Sequence, residues 1–257
     1  MAKILAVTNQ KGGVGKTTSA VNLAAGLAAQ GMRVLLVDLD PQGNATMGCG
    51  IDKRALRHTV YHLLLELAPL AAVRQHSESG KFDLLPANRE LAGAEVELVD
   101  QPQRETRLKK ALAEVAEEYQ YVLIDCPPAL NLLTVNGLTA AHAVMIPMQC
   151  EYYALEGLSD LVNTIKKVRA NLNPTLEIEG LLRTMFDPRN TLAQQVSDQL
   201  KQHFGSKVYD TVIPRNIRLA EAPSHGRPVL AYDRNSKGAL AYQGLATEII
   251  ARGDTQV

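Results

Sequence analysis

Asn9-Gln10-Lys11-Gly12-Gly13-Val14-Gly15-Lys16-Thr17-Thr18 stands between a short apolar stretch, Ile4 to Thr8, and an Ala/Leu-rich stretch, Ser19 to Gln30, that stops at Gly31. The order is strand, glycine-rich turn, helix. Three glycines let successive backbone N–H groups turn inward around an anion. The helix opening near Lys16 adds the positive end of its dipole. Lys16 offers a charge to the β- and γ-phosphates of a nucleotide, and the Thr17 hydroxyl suits Mg²⁺, which takes oxygen ligands. The usual phosphate-loop spacing puts glycine at position 10; this chain has Gln10 there, and a second lysine, Lys11, inside the loop. The dinucleotide pattern G-x-G-x-x-G fails from Gly13 because position 18 is Thr18, which disfavours a nicotinamide enzyme. The expected ligand is ATP with Mg²⁺, held by Lys11, Gly12, Gly13, Val14, Gly15, Lys16, Thr17 and Thr18.

Outward from the loop, two more strands end in acids. Arg33 to Val37 runs into Asp38-Leu39-Asp40-Pro41-Gln42, and Tyr121 to Ile124 runs into Asp125-Cys126-Pro127-Pro128. An apolar strand with a terminal acid is what a Mg²⁺ site needs, because the sheet fixes the carboxylate at the mouth of the loop. Asp125 is the expected contact to a Mg²⁺ water, and Asp40 is expected to orient the attacking water. Asp38 bonds either the phosphate loop or a metal water. The competing reading for all three is that they cap turns.

The remaining segments continue the alternation. Strands are expected at Phe82 to Pro86, Ala143 to Ile146, Ile178 to Phe186 and Val208 to Ile213. Helices are expected at Glu105 to Tyr119, Leu155 to Ala170, Leu192 to His203 and 239–251. Apolar strands separated by helices imply an α/β fold: a single doubly wound, mostly parallel sheet with helices on both faces, as in P-loop NTPases. Ligands then sit beyond the carboxyl ends of the strands. No repeat or low-complexity linker interrupts the chain, so residues 1–257 read as one domain. Gly43 to Gly50 and Pro223 to Lys237 are the expected mobile loops.

The composition narrows the function. With 257 residues the chain can bury a large core unaided. It has no Trp and three Phe, too few for an aromatic platform that stacks single-stranded nucleic acid. The formal net charge is zero, so any binding to DNA or anionic lipid must come from a local patch. Residues 183–237 hold nine basic residues, among them Arg183, against five acidic ones, so an excess of positive charge is concentrated there. Cys49, Cys126 and Cys150 are odd in number and form no CxxC pair, which argues against a disulfide framework or zinc site. No apolar run approaches a membrane span and the amino terminus reads as a strand rather than a signal peptide, so a cytoplasmic protein is expected.

Lys11-Gly12-Gly13-Val14-Gly15-Lys16-Thr17-Thr18 resembles the deviant Walker A sequence of the ParA/MinD superfamily, and Asp38-Leu39-Asp40-Pro41-Gln42-Gly43-Asn44-Ala45-Thr46 resembles its switch segment. Three further stretches resemble the ParA/Soj chromosome- and plasmid-partitioning ATPases in particular. They are Leu91-Ala92-Gly93-Ala94-Glu95, the run from Gln149 to Leu158, and the run from Ile213 to Ser224. The resemblance extends from about residue 3 to about residue 250.

That resemblance implies a homodimer formed when ATP is bound, with Lys11 reaching the partner subunit's phosphates. Two nucleotides sandwiched between subunits concentrate negative charge, and a lysine from each side offsets it. The resemblance also implies that Glu151 contacts the ATP ribose across the dimer, and that Pro214 and Asn216 hold the adenine. It implies non-specific binding of double-stranded DNA by the dimer, with contacts from Arg189 and Arg218, a ParB-type centromere-binding partner that stimulates slow hydrolysis, and a nucleoid-associated location. Larger members of the family carry a helix-turn-helix region before the first strand; this chain resembles the short type, so specific operator binding is not expected. A MinD-like, membrane-associated division-site ATPase is the alternative, but it needs a basic amphipathic helix in the tail, and Thr247 to Val257 has one basic residue. A nitrogenase iron-protein relative would need Cys126 and Cys150 at the dimer face.

Overall fold

Eight strands form one sheet in the order β3-β4-β2-β5-β1-β6-β7-β8. The coordinates are a computed structural model and describe residues 2–254. The strands are β1 (Lys3–Val7), β2 (Val34–Asp38), β3 (Gln75–Ser77), β4 (Phe82–Leu85), β5 (Tyr121–Asp125), β6 (Ala143–Gln149), β7 (Glu177–Phe186) and β8 (Val208–Pro214). Among the described residues only the edge strand β3 runs antiparallel to its neighbour. The helices are α1 (Lys16–Ala29), α2 (Asn44–Gly48), α3 (Val60–Leu64), α4 (Leu70–Val73), α5 (Leu91–Glu97), α6 (Arg107–Ala113), α7 (Leu132–Ala140), α8 (Ala154–Asn171), α9 (Thr191–Phe204), α10 (Ile217–Glu221), α11 (Val229–Tyr232) and α12 (Lys237–Asp254).

The central strands are apolar along their whole length because both faces are covered. Successive residues face opposite ways. Leu5, Val7, Val34, Leu36 and Leu123 therefore pack with Leu23 and Leu27 of α1 and Leu245 and Ile249 of α12. Ala6, Leu35, Val37, Val122 and Ile124 pack on the other side with Leu133 of α7, Leu161 of α8 and Leu200 of α9. Each fully buried Leu or Ile contributes about 1.5–3 kcal/mol relative to an exposed one. The two-sided burial is what makes the central strands rigid enough to fix side chains at their ends.

Strand register sets the site. Val7 is level with Asp125, and Asp38 is level with Asp125, so β1, β2 and β5 end together. Neighbouring strands lie about 4.8 Å apart. The two acids therefore stand side by side, both fully buried, beside the loop that follows β1.

Three expectations are corrected. The stretch from Glu105 to Tyr119 is one turn of 3₁₀ helix at Arg104–Thr106 and then α6, which stops at Ala113. Beyond it the backbone tightens, with Val115 N–H donating to Leu112 O and Glu118 N–H to Val115 O. Glu114, Glu117 and Glu118 would crowd negative charge at the negative end of a longer helix. Gly43 to Gly50 is not an open loop but contains α2, whose Ala45 and Thr46 are fully buried. Pro223 to Lys237 contains α11, pinned to α1 by Val229 N–H donating to Asn22 Oδ1 at 2.7 Å.

Candidate functional site

The phosphate loop connects β1 to α1, and its shape needs glycine at two positions. Gly13 has φ +73° and Gly15 φ +89°, left-handed conformations that a side chain would strain. Asn9 braces the loop from the side. Its Nδ2 donates to Pro147 O of β6 at 2.9 Å, and its Oδ1 accepts from Lys11 N–H at 3.0 Å. Sequence reasoning passed over Asn9, although an Asn that closes a turn two residues on is a recognisable signal.

The two loop lysines are placed oppositely. Lys16 is 7 % exposed, and its ammonium donates to Lys11 O at 3.0 Å. Burial lowers its pKa, while Asp125 and then Asp40 raise it, so these three groups share one field. Lys11 is on the rim, with a 47 % exposed side chain, and its Nζ lies 2.6 Å from Glu151 Oε2. Within one subunit, the two residues assigned by resemblance to cross-dimer contacts bond each other.

Asp125 is fully buried, and neither carboxylate oxygen has a hydrogen-bond partner of good geometry. Burial first, and then the Asp38 charge, push its pKa well above the usual carboxylate range; the nearby Thr17 hydroxyl pulls the other way. Open, buried carboxylate oxygens call for a cation or ordered water. A Thr17 hydroxyl and one such carboxylate fit Mg²⁺, which keeps most of its waters and takes few protein ligands.

Asp38 is engaged differently from the expected metal role. Its Oδ2 accepts from Thr46 N–H at 2.8 Å and from Thr46 Oγ1 at 2.7 Å, and its Oδ1 accepts from Asp40 N–H at 3.2 Å. Burial pushes its pKa up to about 6 even though the Thr46 bonds lower it. Three local hydrogen bonds make Asp38 the tether of α2 rather than an open ligand. Thr46 extends the tether, because its Oγ1 accepts from Ala87 N–H at 2.9 Å. Asp40 uses Oδ1 to accept from Gln42 N–H at 2.9 Å, which caps the turn. Among the described residues its other carboxylate oxygen accepts no hydrogen bond.

A cavity of about 210 Å³ opens beside the loop, lined by Gly15, Thr18, Met185, Pro214, Asn216 and Tyr242 among others. Its walls are largely apolar. Asn216 caps α10 with Oδ1, which accepts from Arg218 N–H at 3.1 Å, and among the described residues its amide NH₂ has no hydrogen-bond partner. A larger cavity of about 560 Å³ lies at the opposite ends of β7 and β8, among Glu179, Lys201, Lys207, Asp210 and Arg252. It contains no residue of the phosphate loop, so the nucleotide chemistry is not there.

The candidate DNA-contact arginines follow the ends of two neighbouring strands, β7 and β8, whose Phe186 and Pro214 are level. Arg189 is 88 % exposed and makes a two-point contact with Asp187, at 3.0 and 2.9 Å, which holds the Asp187 carboxyl at about 2. Arg218 pairs with Glu221 at 2.8 Å and Asp233 at 3.3 Å. Both charges are locally balanced in the isolated subunit. Arg183 is not on the surface at all. It is 3 % exposed and donates to Ser197 Oγ, Tyr209 O and Asp210 O, so the positive surface of this segment is one charge weaker than its sequence suggests. Cys126 and Cys150 are buried, and burial raises both thiols, Cys150 to about 11, which makes them poor ligands at neutral pH.

Comparison with known proteins bears on these features. A family model described as an AAA domain matches residues 2–178. The sporulation initiation inhibitor protein Soj of Bacillus subtilis is 55 % identical over 253 residues, covering 98 % of this chain and 100 % of its own. The chromosome partitioning protein ParA of Caulobacter vibrioides is 52 % identical over 252 residues, covering 97 % of this chain and 94 % of its own. Among solved structures, a cobyrinic acid a,c-diamide synthase from Mycobacterium smegmatis with bound ADP and magnesium superposes with a TM-score of 0.88 at 39 % identity, covering 100 % of this chain and 97 % of that one.

Proposed function

The chain belongs to the ParA/Soj family of chromosome-partitioning ATPases, and from that premise we propose that ATP closes two copies into a DNA-binding dimer that hydrolysis reopens. The single observation that carries the proposal is the opposite placement of the two loop lysines. Lys16 is buried and serves its own nucleotide, while Lys11 is on the rim with a half-exposed side chain whose ammonium pairs with Glu151. A charge on the rim of the loop is useful to a second triphosphate facing the first. The name of the solved neighbour points elsewhere, but its identity of 39 % is well below the 55 % and 52 % shared with partitioning proteins.

Each residue of the site has a part in the cycle. The loop amides and Lys16 bind the phosphates, and Pro214 and Asn216 receive the adenine. Thr17 and the open oxygens of Asp125 would hold Mg²⁺ and its waters, and the ion would supply charge neutralisation to the triphosphate. Asp40 orients the attacking water with its unengaged oxygen. Asp38 and Thr46 keep α2, and with it Asp40, at a fixed distance from the loop. On closure Lys11 leaves Glu151 for the partner's phosphates, and Glu151 becomes available to the partner's ribose.

DNA binding then follows from arithmetic on charge. Arg189 and Arg218 give two phosphate contacts per subunit and four per dimer. At about 0.9 decade of affinity per contact per decade of salt, four contacts lose about 10²-fold between about 50 and about 200 mM. Two contacts lose only about the square root of that. A ParB-type protein is the stimulating partner in this reading, and residues 1–257 act as one ATPase domain.

The MinD-like alternative loses support from α12. Leu245, Ala246 and Ile249, its apolar face, are fully buried in the core and cannot also face a lipid surface. Among the described residues no helix is long and apolar enough to cross a membrane. Residues 255–257 of the tail weighed for membrane contact lie outside the described residues.

Co-sedimentation with plasmid DNA under ATP, ADP and no nucleotide, at low and high salt, tests the proposal. Pelleting is expected with ATP alone and is expected to fall steeply with salt. Arg189→Glu is expected to abolish pelleting while ATP-dependent dimers persist. Equal pelleting in all three nucleotide states would refute the switch, and pelleting of Arg189→Glu at wild-type level would put the DNA surface elsewhere.

A further inference from the structure

We propose that Thr184, near the end of β7, is a positioning residue for the phosphate loop, its hydroxyl setting the orientation of the Val14–Gly15 peptide. The inference rests on the nucleotide-binding reading of that loop. Thr184 Oγ1 donates to Val14 O at 2.7 Å across 170 residues of sequence. Both residues are buried, at 2 % and 1 % exposure. The Val14 carbonyl lies outside the ladder of α1, whose first helical bond of this kind runs from Ser19 N–H to Gly15 O. Thr184 is its partner.

The consequence follows from peptide geometry. No peptide bond among the described residues is cis. In a trans peptide the C=O and N–H of one unit point in opposite directions. Tying Val14 O to β7 therefore turns Gly15 N–H away from β7, toward the mouth of the loop where the phosphates bind. Gly15 could rotate freely without this bond, because a residue with no side chain has the widest choice of backbone conformations. The hydroxyl removes that choice before the nucleotide arrives. Asn9 does the same service at the other end of the loop, from β6.

The local shape of β7 is what brings the hydroxyl there. In a regular strand residues 184 and 185 would point to opposite faces. Here Met185 has φ +49°, in the left-handed region, and the pairing with β8 shifts register between Arg183 and Phe186. As a result both side chains reach the same place. Thr184 Cγ2 and Met185 Cε lie 3.7 and 4.0 Å from where a Cβ on Gly15 would stand. Gln149 Nε2 contacts Met185 Sδ at 2.8 Å and helps hold the irregular turn. A sparsely populated conformation kept at the edge of a ligand cavity is the pattern expected where positioning outweighs local comfort.

The test compares two variants in the full-length protein. Thr184→Val keeps the shape and removes the donor; Thr184→Ser keeps the donor. Calorimetric titration with ATP and with AMP is read alongside the thermal midpoint, with Lys16→Ala as the control for loop-dependent binding. Thr184→Val is expected to weaken ATP binding about tenfold, the range of one lost hydrogen bond, with AMP affinity and thermal midpoint near wild type. Thr184→Ser is expected to stay within about twofold of wild type for ATP. Wild-type ATP affinity in Thr184→Val overturns the inference. An equal loss in Thr184→Ser overturns it too, because packing and not the hydroxyl would then matter. An equal loss of AMP binding would mean that the base cavity, not the loop, had been disturbed. Failure of the wild-type protein itself to bind ATP would instead sink the nucleotide reading on which the inference rests.

Discussion

Lys11→Ala is expected to bind ATP at close to wild-type affinity, to stay monomeric with it, and to lose about 10³–10⁵ in turnover. The physical basis is division of labour in the loop. Lys16, not Lys11, is buried against the phosphate cradle and shares a field with Asp125 and Asp40. Removing Lys11 leaves those groups, the loop glycines and the base cavity untouched. What disappears is the rim charge that would meet a second triphosphate. Two triphosphates brought face to face without it repel, so the dimer fails and with it any stabilisation of the transferring phosphoryl group in trans. The loss should exceed what an exposed ion pair is worth, because the Lys11–Glu151 contact is half-exposed and such pairs contribute about 0–1 kcal/mol. Nucleotide titration, sedimentation velocity with a non-hydrolysable analogue, and phosphate release check the three parts. ATP-dependent dimers of Lys11→Ala would refute the trans role.

Asp40→Ala is expected to show the reverse pattern: ATP-dependent dimers that form and persist, with phosphate release reduced by about 10²–10⁴, the contribution of a positioned acid–base group. Because Asp40 also caps the turn at Gln42, the alanine variant mixes two effects. Asp40→Asn separates them. It retains an oxygen for Gln42 N–H and loses the carboxylate charge, so it is expected to keep the turn intact and to hydrolyse as poorly as alanine. Full turnover in Asp40→Asn would leave Asp40 as a turn cap and assign the water to another group.

The parts of the molecule legible in sequence are those set by local, repetitive physics. The α/β alternation could be read because strands such as Val34–Asp38 and Tyr121–Asp125 are buried on both faces and must be apolar throughout. The phosphate loop could be read because left-handed backbone at Gly13 and Gly15 requires glycine. The small edge strand β3 and the four- to seven-residue helices between positions 60 and 97 were missed, since elements so short carry too little periodicity. What was not legible at the site has one common cause: each is a side-chain contact between different elements, from 8 residues apart for Asp38 and Thr46 to 170 for Thr184 and Val14. Asp38 looks like a metal ligand until Thr46 is seen to occupy its oxygens. Gly43 to Gly50 looks like a loop until that same threonine is seen to anchor it. Arg183 looks like a surface charge until β8 and α9 close over it. Thr184 carries no motif, and its importance lies wholly in a bond to Val14.

The most direct test is the solution mass of the wild-type protein, measured by light scattering with Mg²⁺ and a saturating non-hydrolysable ATP analogue. The expected value is about twice the monomer mass of 27.9 kDa, returning to the monomer mass with ADP. A mass that stays at 27.9 kDa with the analogue, in the presence and absence of DNA, would contradict the proposal that paired triphosphates and exchanged lysines drive the cycle.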